Sequence, residues 1–130
     1  YAIPQEYISH VLSTTEQELL NSNAVQTVSG KTMLRMKTQT FPLFDLQNIL
    51  ENRPNEQFKF NSASTIVIIQ GMHKPYGIMV DAVLGIEDTV VKTLEQISDL
   101  SQIYMGATIF GYGQVGMILN PNGVTKTLAI

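Results

Sequence analysis

Residues 106–123 read Gly-Ala-Thr-Ile-Phe-Gly-Tyr-Gly-Gln-Val-Gly-Met-Ile-Leu-Asn-Pro-Asn-Gly and contain a literal G-x-G-x-x-G that begins at Gly111. A dinucleotide-binding fingerprint needs such glycines between a strand and a helix, and an acidic residue about 20 positions later. Here the apolar run Met117–Leu119 and a turn signal follow the glycines, and no Asp or Glu occurs after Asp99. The kinase version of the motif needs a lysine strand and a catalytic loop downstream, yet only 14 residues follow Gly116. The segment therefore predicts a β-hairpin and not a nucleotide-binding loop.

The glycines of this segment are expected to supply positive φ and room for close packing in the hairpin. Strand alternation directs Val115, Met117 and Leu119 to one face, with Tyr112 at the tip. Eight of the nine glycines in the chain follow residue 70. Because glycine permits the sharp bends and bulges that close small barrels, the second half is predicted to be a tightly curved barrel.

The composition excludes several classes of protein. The 130 residues suit a single domain, and the chain has no cysteine, which rules out disulfides, thiolate zinc sites and a thiol nucleophile. The net charge of -3 comes without a basic run, so the phosphate-neutralising patch of a nucleic-acid binder is absent. The longest uninterrupted apolar run is the four residues Ile66–Ile69, far below the 18 or so that a membrane span needs.

Short strand-like runs with turn signals between them recur along the whole chain. Before the hairpin they are Tyr1–Ile3, Tyr7–Leu12, Val25–Val28, Thr32–Met36, Thr40–Leu46, Thr65–Ile69, Tyr76–Val80, Val83–Leu84 and Thr89–Val91. The run Thr65–Ile69 is β-branched and apolar on both faces, which predicts a strand covered on both sides. Residues 52–62 are polar and contain a proline, and they predict a boundary between a first half of about 1–60 and a second half of about 61–130.

Three short helices are predicted beside the strands. Thr15 and Glu18 have the spacing of a capping box, which predicts a helix at Glu16–Leu20. Asp45 can cap a helix over Leu46–Leu50. A weak helical pattern also occurs near Leu94–Leu100. The strands dominate, so the chain is predicted to be all-β.

No catalytic or metal-binding constellation is visible in the sequence. Neither His10 nor His73, the two histidines of the chain, has a carboxylate and a nucleophile at a readable spacing. The acidic residues Asp81, Glu87 and Asp88 lack the alternating oxygen ligands of a calcium loop. They are interpreted as a solvated turn.

Apolar residues at positions predicted to face solvent are the best candidates for a functional surface. Strand alternation over Thr32–Met36 turns Met33 outward, while Met72, Ile86 and Tyr112 fall in predicted turns. Exposed apolar side chains of this kind mark protein interfaces. Met33, Met72, Ile86 and Tyr112 are therefore the candidate protein-interaction residues.

Several stretches, taken in chain order, resemble the CheW-like domain. They are Phe41–Leu46, Gly77–Ile86, Val90–Lys92 and Gly106–Leu119, with Tyr1–Pro4 similar to an early strand of the family. The resemblance covers the whole chain, residues 1–130, as one domain. Within the family, the hairpin and the segment from Met33 to Leu43 are most similar to the C-terminal regulatory domain of the chemotaxis histidine kinase CheA. The absence of an initial methionine predicts a fragment of a longer protein, with a preceding strand of the family missing.

The resemblance implies a fold, a function and a set of partners. The fold would be two intertwined five-stranded SH3-like barrels with one or two short helices, packed across one core. The domain would be non-catalytic and without cofactor or metal, and would couple receptor signals to kinase activity. Its partners would be the CheW adaptor, the cytoplasmic tips of chemoreceptors and other domains of CheA, with no nucleic acid and no direct membrane insertion. It would be cytoplasmic, at membrane-associated chemoreceptor arrays.

Some positions depart from the pattern of the family. Lys37-Thr38 stands where many members carry Arg-Gly, and His10 stands where an acidic residue is common, so an ion pair between those positions is in doubt. Thr93, Asn120 and Tyr112 also replace residues that are frequent at their positions. These changes are those of a divergent member.

Other functions stay open from the residues. The chain is also compatible with a free-standing CheW-type adaptor, and the residues that precede Tyr1 would decide between the two. A β-barrel that binds a small ligand needs an enclosed apolar cavity, whereas bulky side chains on nearly every strand favour filled interiors. A hydrolase or transferase has the least support, because no nucleophile has a visible base.

Overall fold

The computed structural model describes residues 1–14, 25–36, 38–51, 53, 64–72, 74–90, 92–93 and 103–128. The strands are β1 (Ile8–Thr14), β2 (Val25–Val28), β3 (Lys31–Met36), β4 (Gln39–Asp45), β5 (Ser64–Ile69), β6 (Tyr76–Val80), β7 (Lys92–Thr93), β8 (Tyr104–Ile109) and β9 (Val115–Leu119). The helices are a 3-10 turn (Gln5–Tyr7), α1 (Leu46–Leu50) and α2 (Pro121–Leu128). Among these described helices, none has the length and apolar content that crossing a bilayer requires.

The strands form two sheets. One has six strands in the order β1-β5-β6-β4-β3-β2, and the other has three in the order β7-β8-β9. Neighbouring strands are antiparallel except β4 and β6, which run parallel with Leu43 opposite Gly77. The N-terminal segment joins the smaller sheet through a parallel bridge between Ala2 and Ile118. Two backbone hydrogen bonds of 2.9 and 2.8 Å connect Ala2 to β9.

Strand β5 separates two hydrophobic clusters. Because successive side chains of a strand point to opposite faces, Val67 and Ile69 pack into one cluster and Ile66 and Ile68 into the other. Cluster 1 also contains Phe44, Ile49, Tyr76, Ile78, Val124 and Leu128. Cluster 2 also contains Leu34, Phe41, Leu43 and Met79. The prediction that Thr65–Ile69 forms a strand covered on both faces is confirmed.

The predicted all-β class is confirmed, with two sheets and two short α-helices. The runs predicted at Tyr7–Leu12, Val25–Val28, Thr32–Met36, Thr40–Leu46, Thr65–Ile69 and Tyr76–Val80 correspond to β1 through β6. Two predictions are wrong: Val83, Leu84, Thr89 and Val90 lie outside the strands and are exposed. The nearest strand begins only at Lys92. Strand-forming residues do not make a strand where no neighbouring strand pairs with them.

Helix α1 is the helix predicted at Leu46–Leu50. The side chain of Asp45, its N-cap residue, accepts a hydrogen bond from the backbone N–H of Asn48. Burial raises the pKa of the Asp45 carboxyl above its ordinary value, although that hydrogen bond acts in the opposite direction. The predicted helices at Glu16–Leu20 and Leu94–Leu100 lie outside the described residues, as does nearly all of the boundary at 52–62.

Helix α2 corrects the interpretation of Asn120–Gly123 as a turn. Asn120 Oδ1 accepts a hydrogen bond of 3.2 Å from the Gly123 N–H, and Pro121 occupies the first helical position, where its missing N–H has no consequence. The helix buries Val124 and Leu128 in cluster 1. The buried Tyr76 hydroxyl donates to the Pro121 carbonyl at 2.9 Å, which ties β6 to the start of the helix.

Candidate protein-interaction site

The hairpin predicted from residues 106–123 is present as β8 and β9. The Phe110 N–H donates to the Gln114 carbonyl at 2.9 Å, and the Gly113 N–H donates to the Phe110 carbonyl at 2.8 Å, which together close the turn. Gly113 has φ +88°, a conformation that favours glycine. A strand follows Gly116 where a nucleotide-binding fingerprint would have a helix.

Two aromatic rings stack at the tip of the hairpin. The ring centroids of Phe110 and Tyr112 lie 5.5 Å apart with an interplanar angle of 21°. The Phe110 ring occupies the space that a Cβ at position 116 would need, so a larger residue there would displace the ring. Tyr112 is 62% exposed. The tip therefore presents an aromatic side chain to solvent.

One face of β9 carries Val115, Met117 and Leu119. The exposure of these side chains increases along the strand from Leu119 to Val115. Leu119 is buried, Met117 is half-buried and Val115 is 71% exposed. The prediction that the three side chains share a face agrees with the strand geometry, but Val115 lies beyond the core. Its partner across the hairpin, Ile109, is 63% exposed. The end of the hairpin therefore carries a pair of solvent-facing aliphatic side chains.

Residues 87–90 lie beside this end of the hairpin. Pairing of Lys92 with Ala107 brings the residues that precede β7 toward Ile109. Residues 88–90 line an open cleft of about 460 Å³ together with residues 107–109 and Val115.

The carboxylate of Glu87 lies against the turn, because a Cβ built on Gly111 would be 3.0 Å from Glu87 Oε1. Ile86 and Val90 flank this contact and are 75% and 79% exposed.

These residues define an apolar surface that we call the hairpin surface. Its members are exposed apolar side chains from the segment 81–90 and from the end of the β8–β9 hairpin: Ile86, Val90, Ile109, Tyr112 and Val115. Exposed apolar side chains that lie next to one another mark interaction sites, whereas single ones do not. The cleft beside them is open to solvent and lined largely by exposed residues, which distinguishes it from the enclosed interior of a ligand-binding barrel.

The structure places two of the four predicted site residues, Ile86 and Tyr112, in the hairpin surface. The other two lie in or next to the larger sheet. Met72 follows β5 and is 84% exposed, and its backbone N–H donates to Asn122 Oδ1 at 2.9 Å. Met33 lies on β3 opposite Pro42 and is half-buried, so it faces solvent only in part. A role of any of the four in binding stays a prediction.

The sequence did not reveal three aliphatic members of the hairpin surface, Val90, Ile109 and Val115. Val90 was assigned to a strand, and Val115 was directed to the barrel. A signal does exist: residues 104–119 contain no charged side chain, while residues 81–90 contain three acidic ones and no basic one. A hairpin without charges beside an acidic segment is typical of a contact surface and not of a solvated loop.

The titratable groups of the described residues form no catalytic arrangement. Ser9 Oγ lies 2.8 Å from His10 Nδ1, and both residues are exposed on β1. His73 lies outside the described residues. No group of three or more His, Cys, Asp or Glu side chains within the described ranges could hold a metal ion. Burial raises the pKa of Tyr104, helped by Tyr1, whose ring stacks on it at 6.3 Å.

Residues 1–129 match the family described as CheW-like domain. The chain belongs to this family. It is 30% identical over 120 residues to the sensor histidine kinase CheAY of Helicobacter pylori. It is 25% identical over 121 residues to the chemotaxis protein CheA of Listeria monocytogenes and 25% over 124 residues to that of Treponema pallidum. Each match covers 92% of this chain but only 14 to 18% of the relative.

A solved structure shares the fold. The scaffolding protein TtCheW of Thermoanaerobacter tengcongensis superimposes with a TM-score of 0.68 at 12% sequence identity. The match covers 97% of this chain and 84% of that protein. The resemblance to the CheW-like family is therefore confirmed, and with it the CheW-like fold. The family and its chemotaxis relatives place the chain among the CheW-like domains of chemotaxis signalling.

Proposed function

We propose that this domain is a non-catalytic interaction module of a chemotaxis histidine kinase. It binds the CheW adaptor and the cytoplasmic tips of chemoreceptors, and so couples receptor signals to the activity of the kinase. One observation carries the proposal: the chain matches three kinases over 92% of its own length, but it spans 14 to 18% of theirs. A domain of this kind relays signals to catalytic domains elsewhere in the same protein.

The hairpin surface supports a binding role. Apolar side chains, aromatic ones above all, are enriched at the centres of protein interfaces, and the end of this hairpin exposes Tyr112 as well as the opposed pair Ile109 and Val115. Both predicted residues that lie in this surface, Ile86 and Tyr112, are therefore first candidates for mutation. The proposed location is the cytoplasmic side of chemoreceptor arrays, where the partners of such a module lie. Residues 1–130 act as one CheW-like domain in this proposal, with halves of about 1–60 and 61–130.

A second candidate is a free-standing CheW-type adaptor. It is favoured by the match to TtCheW, which covers 84% of that protein, whereas the matched kinases are several times longer than this chain. The genomic sequence upstream of Tyr1 distinguishes the two. An ATP-binding kinase domain in the same reading frame supports the kinase, and a start codon within about 30 residues supports the adaptor.

Binding to the adaptor is the direct test. Titration of the domain with CheW from the same organism, followed by calorimetry, is expected to give a complex with a Kd on the order of tens of micromolar or tighter. Denatured CheW serves as the control for non-specific association. Absence of a complex at this concentration would overturn the proposal.

A further inference from the structure

We infer that the hairpin surface is the docking site for an adaptor whose apolar contact patch is bordered by lysine or arginine side chains. The inference rests on the proposed function and adds to it the surface used and the charge of the partner. Ile109 and Val115 are a directly opposed pair on β8 and β9, and Val90 lies across the cleft from them. All three are more than half exposed.

The charged side chains that contact this surface from the segment 81–90 are acidic. Glu87 touches the hairpin turn at Gly111, and Asp88 lines the cleft beside Val90. Residues 81–90 contain three acidic residues and no basic residue. Complementary potentials steer association and exclude wrong partners, so this surface selects a patch with basic side chains at its edge.

The test is titration of the domain with CheW at low and high salt. The apolar variant Ile109→Ser is expected to weaken binding at least about tenfold. Its matched control is Val28→Ser, which removes an exposed valine of β2 in the other sheet and should leave the Kd unchanged.

The charge is tested by the double variant Glu87→Lys with Asp88→Lys. It is expected to weaken binding about three- to tenfold at 50 mM salt and by much less at 500 mM, because salt screens surface charges. Glu6→Lys, an exposed charge reversal in the 3-10 turn, is the control that should have no effect.

The outcomes separate the two proposals. If CheW binds the wild type, and the hairpin variants bind as well as the Val28→Ser and Glu6→Lys controls, the domain is an adaptor-binding module that uses another surface, and this inference is wrong. If CheW does not bind the wild type, the proposed function fails and the inference with it. Circular dichroism spectra of all variants exclude loss of folding as the cause of lost binding.

Discussion

Two buried threonines differ in what their hydroxyl groups contact. Thr125, in helix α2, donates from Oγ1 to the Asn122 carbonyl at 2.6 Å. Thr108, in strand β8, is equally buried, but its Oγ1 has no hydrogen-bond partner among the described residues. A buried hydroxyl without a hydrogen bond has lost its hydrogen bonds to water, and no bond within the protein replaces them, so its burial destabilises the fold. The two residues therefore make opposite contributions to the stability of the domain.

Replacing each threonine by valine, which has nearly the same shape, measures these contributions. Thr108→Val is expected to raise the free energy of unfolding by about 1 kcal/mol, because no hydrogen bond is lost. Thr125→Val is the matched control and should lower it by about 1 kcal/mol. Urea unfolding followed by circular dichroism gives both values. Equal destabilisation by the two changes would contradict the assignment of Thr108 as unpaired.

Among the secondary-structure elements, those with a local signature were predictable from the sequence. The β8–β9 hairpin follows from its glycines and from the alternation of apolar residues, and α1 follows from Asp45 as a cap. Helix α2 was missed because Asn-Pro-Asn-Gly is compatible with both a turn and a helix start. What selects the helix is tertiary: Val124 packs in cluster 1, and Tyr76 binds the Pro121 carbonyl.

The candidate site was predictable only in part, because its exposure also depends on tertiary packing. Turn signals identified Ile86 and Tyr112 as exposed, because turns lie on the surface. Alternation assigns a side chain to a face of a sheet but does not say where along the strand that face leaves the core. Leu119 is buried and Val115 is exposed on the same face of β9, and no pattern in the sequence distinguishes them.

The contribution of the N-cap residue Asp45 to the free energy of unfolding should depend on pH and on the charge of its carboxyl. Asp45→Ala is expected to lower the free energy of unfolding by about 1 kcal/mol, because the hydrogen bond to Asn48 is lost. Asp45→Asn keeps an acceptor oxygen without the charge. Because burial raises the pKa of Asp45 above 3.8, the folded state holds the proton more tightly than the unfolded state.

The favourable contribution of this carboxyl is therefore complete below pH 3.8 and is lost as the pH rises through the raised pKa. Urea unfolding between pH 3 and pH 7 should show Asp45→Asn gaining stability relative to the wild type with increasing pH. A wild type that gains relative to Asp45→Asn over this range would refute the direction of the shift.

At the scale of the whole molecule, the two hydrophobic clusters share one strand. Ile66 and Ile69 lie on opposite faces of β5, and each is fully buried in a different cluster. Unfolding of β5 would remove core side chains from both clusters at once. We therefore expect the domain to unfold as one cooperative unit.

A matched pair of variants tests this cooperativity. Ile66→Val in cluster 2 and Ile69→Val in cluster 1 each remove one buried methylene and should each lower the free energy of unfolding by about 1 kcal/mol. Urea unfolding curves from circular dichroism and from tyrosine fluorescence should coincide for the wild type and both variants. Separate transitions, or a variant that shifts only one of the two curves, would show that the clusters unfold independently.

The bridge between Ala2 and β9 has a mechanical consequence. Ile3, next to the bridge, packs against cluster 1, and Leu128, at the end of α2, lies within the same cluster. A pulling force applied to both ends of the domain therefore acts on cluster 1. The hairpin tip lies outside the segments that transmit this force. A partner seated on the hairpin surface would remain in place while the flanking chain is pulled.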